Sequence, residues 1–92
     1  MARLAQEEIE ERLARLEGWA LEGEAIAKEL EAGDFAGSVE LVNKLLPIAE
    51  EMDHHPDLSI SWGTVRVTIT THSEGGLTAS DFELAQQIDA LV

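Results

Sequence analysis

The chain has 92 residues and a net charge of −13, from 19 acidic and 6 basic side chains. This length allows one compact domain, so residues 1–92 are predicted to form a single domain. The negative charge argues against nucleic acid and anionic membranes as partners. The absence of Cys excludes disulfides, thiolate metal sites and Cys nucleophiles. Because the sequence has neither an apolar run of roughly 20 residues nor a signal-like N-terminus, the expected protein is soluble and cytoplasmic.

Apolar residues at helical spacing predict a first helix near the N-terminus. Glu and Arg separate these residues, and Gly18 is placed to end the helix. The next two apolar segments flank Glu22-Gly23-Glu24, which predicts a short β-hairpin. Helix propensity alone would instead favour a helix over 25–31, because Ala, Lys, Glu and Leu all favour helices. The helical residues are Leu4, Ile9, Leu13 and Leu16, and the hairpin segments are 19–21 and 26–30.

A second helix is predicted to begin after Asp34, whose side chain is a good N-cap. It is expected to end before Pro56, because the residue preceding a proline is disfavoured in a helix. Pro47 removes one backbone hydrogen bond inside this helix, which predicts a kink near 43–47. The predicted buried stripe consists of Phe35, Val39, Val42, Leu45, Ala49 and Met52.

Two segments of the second half alternate apolar and polar residues, which is typical of half-buried strands. Gly63 lies at the turn between them, and Gly75-Gly76 precedes a third helix with a Thr78/Asp81 capping box. The order α-β-β-α-β-β-α predicts an α+β domain, with a four-stranded antiparallel sheet and helices packed on one face. The apolar residues are Leu58, Ile60 and Trp62, then Val65, Val67 and Ile69, and finally Leu84, Ile88 and Leu91 of the helix.

All three histidines lie in the second half of the chain. His54 follows Glu50 by four residues, so both are predicted to project from one helix face. A hairpin that begins after Pro56, with His72 closing its last strand, returns the chain to its starting end. His54, His55 and His72 are therefore predicted to converge, and imidazoles are suited to proton transfer near neutral pH.

Each candidate residue also has a different interpretation. Glu50 can be a solvated helix residue, Asp81 only a helix cap, and Trp62 a core residue. A two-His, one-carboxylate metal site formed by Glu50, His54 and His72 is a further chemical alternative.

The spacing of these residues resembles the pattern of the pterin-4a-carbinolamine dehydratase family. In that family an acidic or basic residue, three spacers and His-His-Pro are followed by five or six spacers and an aromatic residue. Nine spacers and a His come next, and then eight or more spacers and an Asp. The resemblance covers roughly residues 18–92 of the chain. The matching positions are Glu50, His54, His55, Pro56, Trp62, His72 and Asp81.

The resemblance implies a hydro-lyase that needs no metal or cofactor. It would remove water from 4a-hydroxytetrahydropterin and give the quinonoid dihydropterin, returning pterin to aromatic amino acid hydroxylases. His54 and His72 would act as general acid and base, and His55 would chiefly hold the substrate.

The resemblance also implies supporting roles and partners. Glu50 and Asp81 would orient or polarise the imidazoles, and Trp62 would belong to the wall of the site. Homodimers or homotetramers are expected, and an exposed edge strand favours the same outcome. The alternative function is a non-catalytic one, because members of this fold also stabilise transcription-factor dimers or assist assembly of a carbon-fixing enzyme.

Overall fold

The computed structural model describes residues 2–92 and has the predicted order of elements. A 3₁₀ turn at His72–Glu74 joins the last strand to the last helix. The α+β class and the α-β-β-α-β-β-α order predicted from the sequence are confirmed. The elements are α1 (Gln6–Ala14), β1 (Ala20–Glu22), β2 (Ala25–Glu31), α2 (Phe35–Met52), β3 (Asp57–Ile60), β4 (Thr64–Ile69) and α3 (Ala79–Asp89).

The four strands form one antiparallel sheet in the order β1-β2-β4-β3. Ile26 of β2 pairs with Ile69 of β4, and Leu30 pairs with Val65. These four side chains are buried in one core with apolar residues of all three helices. The helices therefore cover one face of the sheet, as predicted.

The opposite face of the sheet is polar and open to solvent. Arg66 of β4 donates a hydrogen bond to Glu22 of β1 across this face. The Glu22 carboxylate raises the pKa of the Arg66 guanidinium, first through this hydrogen bond and then through its charge. The polar side chains of this face contact solvent, and no second layer of helices packs against it in the described residues 2–92.

The buried stripe of α2 differs from the prediction over its first two turns. Asp34 caps the helix as expected, and its Oδ1 accepts a hydrogen bond from the backbone N–H of Gly37 at 2.7 Å. Phe35 and Val39, however, are 55% and 39% exposed. The buried residues are Ser38, Leu41, Leu45 and Ala49. Apolar residues lie on more than one side of this helix, so two stripes satisfy helical spacing and only packing selects between them.

Two other predicted boundaries are wrong by a few residues. β3 ends at Ile60, so Trp62 lies in the turn before β4. β4 ends at Ile69, so His72 does not close the strand but opens the 3₁₀ turn. Within residues 2–92, none of the helices is both long and apolar enough to cross a membrane.

Candidate active site

The C-terminus of α2 directs His54 away from the helix. Asp53 adopts a left-handed conformation, with φ 50° and ψ 43°. The N–H of His54 then donates to the carbonyl of Ala49 at 3.0 Å, which closes the helix end. The prediction that Glu50 and His54 share a helix face is therefore wrong, because the helix ends at Met52 and the chain reverses at Asp53.

The imidazole of His54 is hydrogen-bonded to the buried carboxylate of Asp81. Nε2 of His54 lies 2.5 Å from Oδ1 of Asp81, whose side chain is completely buried. Oδ2 of Asp81 accepts hydrogen bonds from the backbone N–H of Thr78 and from the Thr71 hydroxyl, both at 2.8 Å. Asp81 thus caps α3, as the capping box predicts, and also fixes His54, so the capping and orienting interpretations are compatible.

Thr71 was not among the candidate site residues predicted from the sequence. Its hydroxyl donates to Asp81 and lies 3.0 Å from the hydroxyl of Thr78. A threonine at the end of a strand carries no signal of its own, because β-branched residues are common there. Its position directly before His72 is the one feature that could have drawn attention to it.

The loop that carries His72 is short and closed. Thr71 and Gly76 exchange two backbone hydrogen bonds at 3.3 Å, and Gly75 adopts φ 71° to complete the turn. The His72 side chain is exposed and makes no hydrogen bond within residues 2–92. Thr71, the residue directly before His72, donates to Asp81, so the backbone at the start of this loop is tied to the carboxylate that holds His54.

Two other segments hold this loop in place from behind. Nη1 of Arg3 donates to the carbonyl of Gly75 at 3.2 Å, and the N–H of Leu4 donates to the carbonyl of Leu77 at 2.8 Å. The Thr70 hydroxyl donates to the carbonyl of Glu24 in the β1–β2 turn at 2.6 Å. The N-terminal segment and the first hairpin therefore determine where the loop stands.

His55 faces a different environment from His54. Its Nε2 is hydrogen-bonded to Glu50, and both side chains are more than half exposed. On its other side, His55 joins Pro56 and Leu58 in lining an apolar groove of about 140 Å³ against α2. The structure thus forms two His–carboxylate pairs, one buried and one exposed.

Trp62 lies away from the histidines of its own chain. It is 72% exposed, so the interpretation as a core residue is wrong. The six residues of β4 separate its turn from the turn that carries His72, a distance of about 20 Å along a strand. Within one chain, Trp62 therefore stands at the opposite end of the β3–β4 hairpin from the three histidines.

The geometry does not assemble the alternative metal site. Glu50 pairs with His55, and His54 pairs with Asp81. Across residues 2–92, no group of three or more His, Asp or Glu side chains is placed to hold a metal ion.

Comparison with known proteins gives consistent matches over nearly the whole chain. A model of the family described as "Pterin 4 alpha carbinolamine dehydratase" matches residues 2–91. A protein of Sulfolobus acidocaldarius named "Putative pterin-4-alpha-carbinolamine dehydratase" is 46% identical, covering 97% of this chain and 98% of its own. A Sulfurisphaera tokodaii protein of the same name is 45% identical, covering 100% and 99%.

A solved structure shares the fold as well as part of the sequence. It is a "transcriptional coactivator/pterin dehydratase" from Brucella melitensis, with a TM-score of 0.90 and 35% identity. The match covers 97% of each chain. With these findings, the chain belongs to the pterin 4 alpha carbinolamine dehydratase family.

Proposed function

We propose that this protein dehydrates a 4a-hydroxytetrahydropterin to the quinonoid dihydropterin, with His54 and His72 as the proton-transfer groups. The observation that carries the proposal is the buried hydrogen bond between His54 and Asp81, next to the loop that presents His72. An imidazole fixed by a buried carboxylate is a common arrangement for general acid–base chemistry. Family membership supports the same reaction.

The hydrogen bonds of Asp81 support one tautomer of His54 for this mechanism. Oδ2 of Asp81 already accepts from Thr71 and Thr78, so the carboxylate acts as an acceptor and Nε2 of His54 as its donor. Nδ1 of His54 then carries the lone pair that takes up a proton.

The reaction needs two proton transfers, because hydroxide is a poor leaving group. In the proposed mechanism His72 gives a proton to the 4a-hydroxyl, which leaves as water. Nδ1 of His54 accepts the N–H proton of the pterin ring, and the electron pair of that bond forms the new C=N bond. Positioned acid and base groups each contribute about 10²–10⁴-fold to such a rate.

Stopped-flow absorbance of chemically generated 4a-hydroxytetrahydropterin tests this proposal. We expect the protein to accelerate its decay, and His54→Ala or His72→Ala to lower kcat by about 10²-fold or more. Ser73→Ala, in the same turn as His72, is the matched control and should keep full activity. Circular dichroism verifies that each variant is folded. Unchanged turnover in the double His variant would rule out the assigned mechanism.

His55 and Glu50 are proposed to bind the substrate rather than to move protons. Their pair is exposed and borders the apolar groove, where one face can contact a pterin ring while the imidazole donates a hydrogen bond. His55→Ala should therefore raise KM more than it lowers kcat. Equal KM values for the variant and the wild type would remove His55 from the site.

The proposed reaction also implies partners and a location. A pterin-dependent aromatic amino acid hydroxylase would supply the substrate in the cytoplasm, and the chain would act as a homodimer or homotetramer without a cofactor. In a coupled assay, the dehydratase should extend the linear phase of such a hydroxylase. If the folded protein fails to accelerate the reaction at all, a protein-binding role, as in the name of the Brucella melitensis structure, becomes the better proposal.

A further inference from the structure

One edge of the molecule exposes more apolar surface than a small monomer usually does. Six large side chains on α2, β3 and the turn after β3 have exposed fractions between 36% and 72%. Together they expose roughly 600 Å² of apolar surface, which is at the upper limit for monomers. A stable protein interface needs about 800 Å² per partner, so this surface is close to that size. We call it the edge patch: Phe35, Val39, Leu46, Leu58, Ile60 and Trp62.

The patch adjoins an unprotected strand edge. Within residues 2–92, β3 pairs only with β4, and all four of its residues are exposed. The strand Asp57–Ile60 contains neither Lys nor Pro, two of the residues that usually prevent edge-to-edge pairing. A second copy of this chain can supply both the missing strand and a matching apolar surface.

Symmetry restricts how two copies of β3 can pair. In a two-fold antiparallel pair, the numbers of two directly opposed residues always add up to the same sum. Opposed residues also share a face of the sheet, and residues on one face of a strand are all even-numbered or all odd-numbered. When the helices of both copies lie on the same side of the joined sheet, this sum is therefore even. Leu58 and Ile60 lie on the helix face, because they pair with the buried Val67 and Val65. Only registers that place Leu58 opposite residue 58 or 60 of the second copy keep three of the four residues of β3 opposite β3 of the other copy. In these two registers, Trp62 of the second copy falls opposite residue 54 or 56.

That position is where the apolar groove opens. His55, Pro56 and Leu58 line one wall, and α2 lines the other with Val42, Leu46 and Ala49. Trp62 is the most exposed of the large apolar residues in the described part of the chain. We propose that Trp62 of one copy enters the groove of the other and completes the pterin site beside His55. The proposal rests on the proposed function for its chemistry, since an indole face stacks on a planar heterocycle.

Mixing two defective variants tests this shared site. Trp62→Leu keeps the interface apolar but removes the planar ring, and it should lower kcat/KM about tenfold. His54→Ala removes the proton-transfer group of its own chain. In a mixed dimer, one site combines an intact His54 with an intact Trp62 from the other chain. After subunit exchange, the mixture should recover about a quarter of wild-type activity, because half the dimers are mixed and each has one intact site.

A site built within one chain gives a different result. The mixture would then show only half the activity of Trp62→Leu alone, and this result, with mixed dimers verified by native mass spectrometry, would overturn the proposal. If the Trp62→Leu chain did not form mixed dimers with the His54→Ala chain, Trp62 would be established as a residue of the interface between the two copies. Val92→Ala, an exposed apolar change at the C-terminus, is the control and should neither lose nor complement activity.

Fluorescence tests the same contact without any catalytic assay. Trp62→Phe leaves Trp19 as the single tryptophan, so the difference from the wild type reports Trp62. On association, emission from Trp62 should shift to shorter wavelength and acrylamide quenching should fall at least twofold. A dimer in which Trp62 stays fully quenchable would refute the groove contact. A wild type without dehydratase activity but with this shift would refute the proposed function and leave the groove contact standing.

Discussion

The Asp81 carboxylate is hydrogen-bonded to three parts of the chain, through His54, Thr71 and Thr78. The hydrogen bond from Thr71 is the one that a single substitution of nearly the same shape can remove. Thr71→Val keeps the β-branched shape but removes the hydroxyl donor, so Oδ2 of Asp81 keeps one donor, the N–H of Thr78. We expect the free energy of unfolding to fall by about 1–3 kcal/mol, as for a lost hydrogen bond to a charged group. Urea unfolding measures this change.

Thr71→Ser is the matched control, because it keeps the donor. Val at this position should also lower kcat more than it raises KM, since Asp81 no longer holds His54 as firmly. The ¹⁵N spectrum of the His54 ring should show a protonated Nε2 in the wild type and a broadened signal in Thr71→Val. Identical spectra and rates in the three proteins would remove Thr71 as a positioning residue.

Whether the role of a single residue could be predicted from the sequence depends on the kind of contact that the residue makes. The pattern that contains His54, His72 and Asp81 could be recognised from spacing alone, and its match to the family is confirmed. The partner of Glu50 could not be predicted, since it depends on where α2 ends to within one residue. The role of Thr71 could not be predicted from the sequence, because it depends on a tertiary contact, the hydrogen bond from its hydroxyl to Asp81.

The end of α2 is the element boundary on which the His–His segment depends. Asp53 is the only non-glycine residue between 2 and 92 with a positive φ, and this conformation turns His54 out of the helix. Asp53→Val should lower the free energy of unfolding by about 1–2 kcal/mol, because a β-branched side chain is strained there. Thermal or urea unfolding measures the loss.

Asp53→Asn provides the control, since Asn tolerates the left-handed region and also removes the charge. It should stay within about 0.5 kcal/mol of the wild type. Equal destabilisation by Val and Asn would assign the effect to the lost carboxylate rather than to the backbone.

At the level of elements, periodicity and turn signals predicted the three α-helices and the four strands, together with their order, but not the 3₁₀ turn at His72–Glu74. It failed where two choices satisfy the same period. The stripe through Phe35 and Val39 has the same helical spacing as the buried one through Leu41 and Leu45. Strand ends are similarly uncertain, because Thr70 and Thr71 fit a strand as well as they fit the turn that places His72.

For the whole molecule, charge and apolar surface act in opposite directions. Each copy carries a net charge of −13, so two copies repel each other, while the edge patch favours their association. Salt screens the repulsion over about 10 Å at 0.1 M and about 3 Å at 1 M. The balance between monomer and dimer should therefore move towards the dimer as ionic strength rises.

Sedimentation equilibrium between about 0.05 and 0.5 M NaCl measures this shift, which we expect to lower the Kd for association at least several-fold. Ile60→Arg places a charge in the edge patch and should remain monomeric over the whole salt range. The free energy needed to bury an unpaired charge in the interface exceeds the free energy that salt screening of the repulsion provides. If the proposed shared site is correct, dehydratase activity per chain should rise with salt in the wild type and stay low in Ile60→Arg, because that site needs the dimer. A wild-type protein that is monomeric at 0.5 M NaCl and fully active would show that one chain alone holds a complete site.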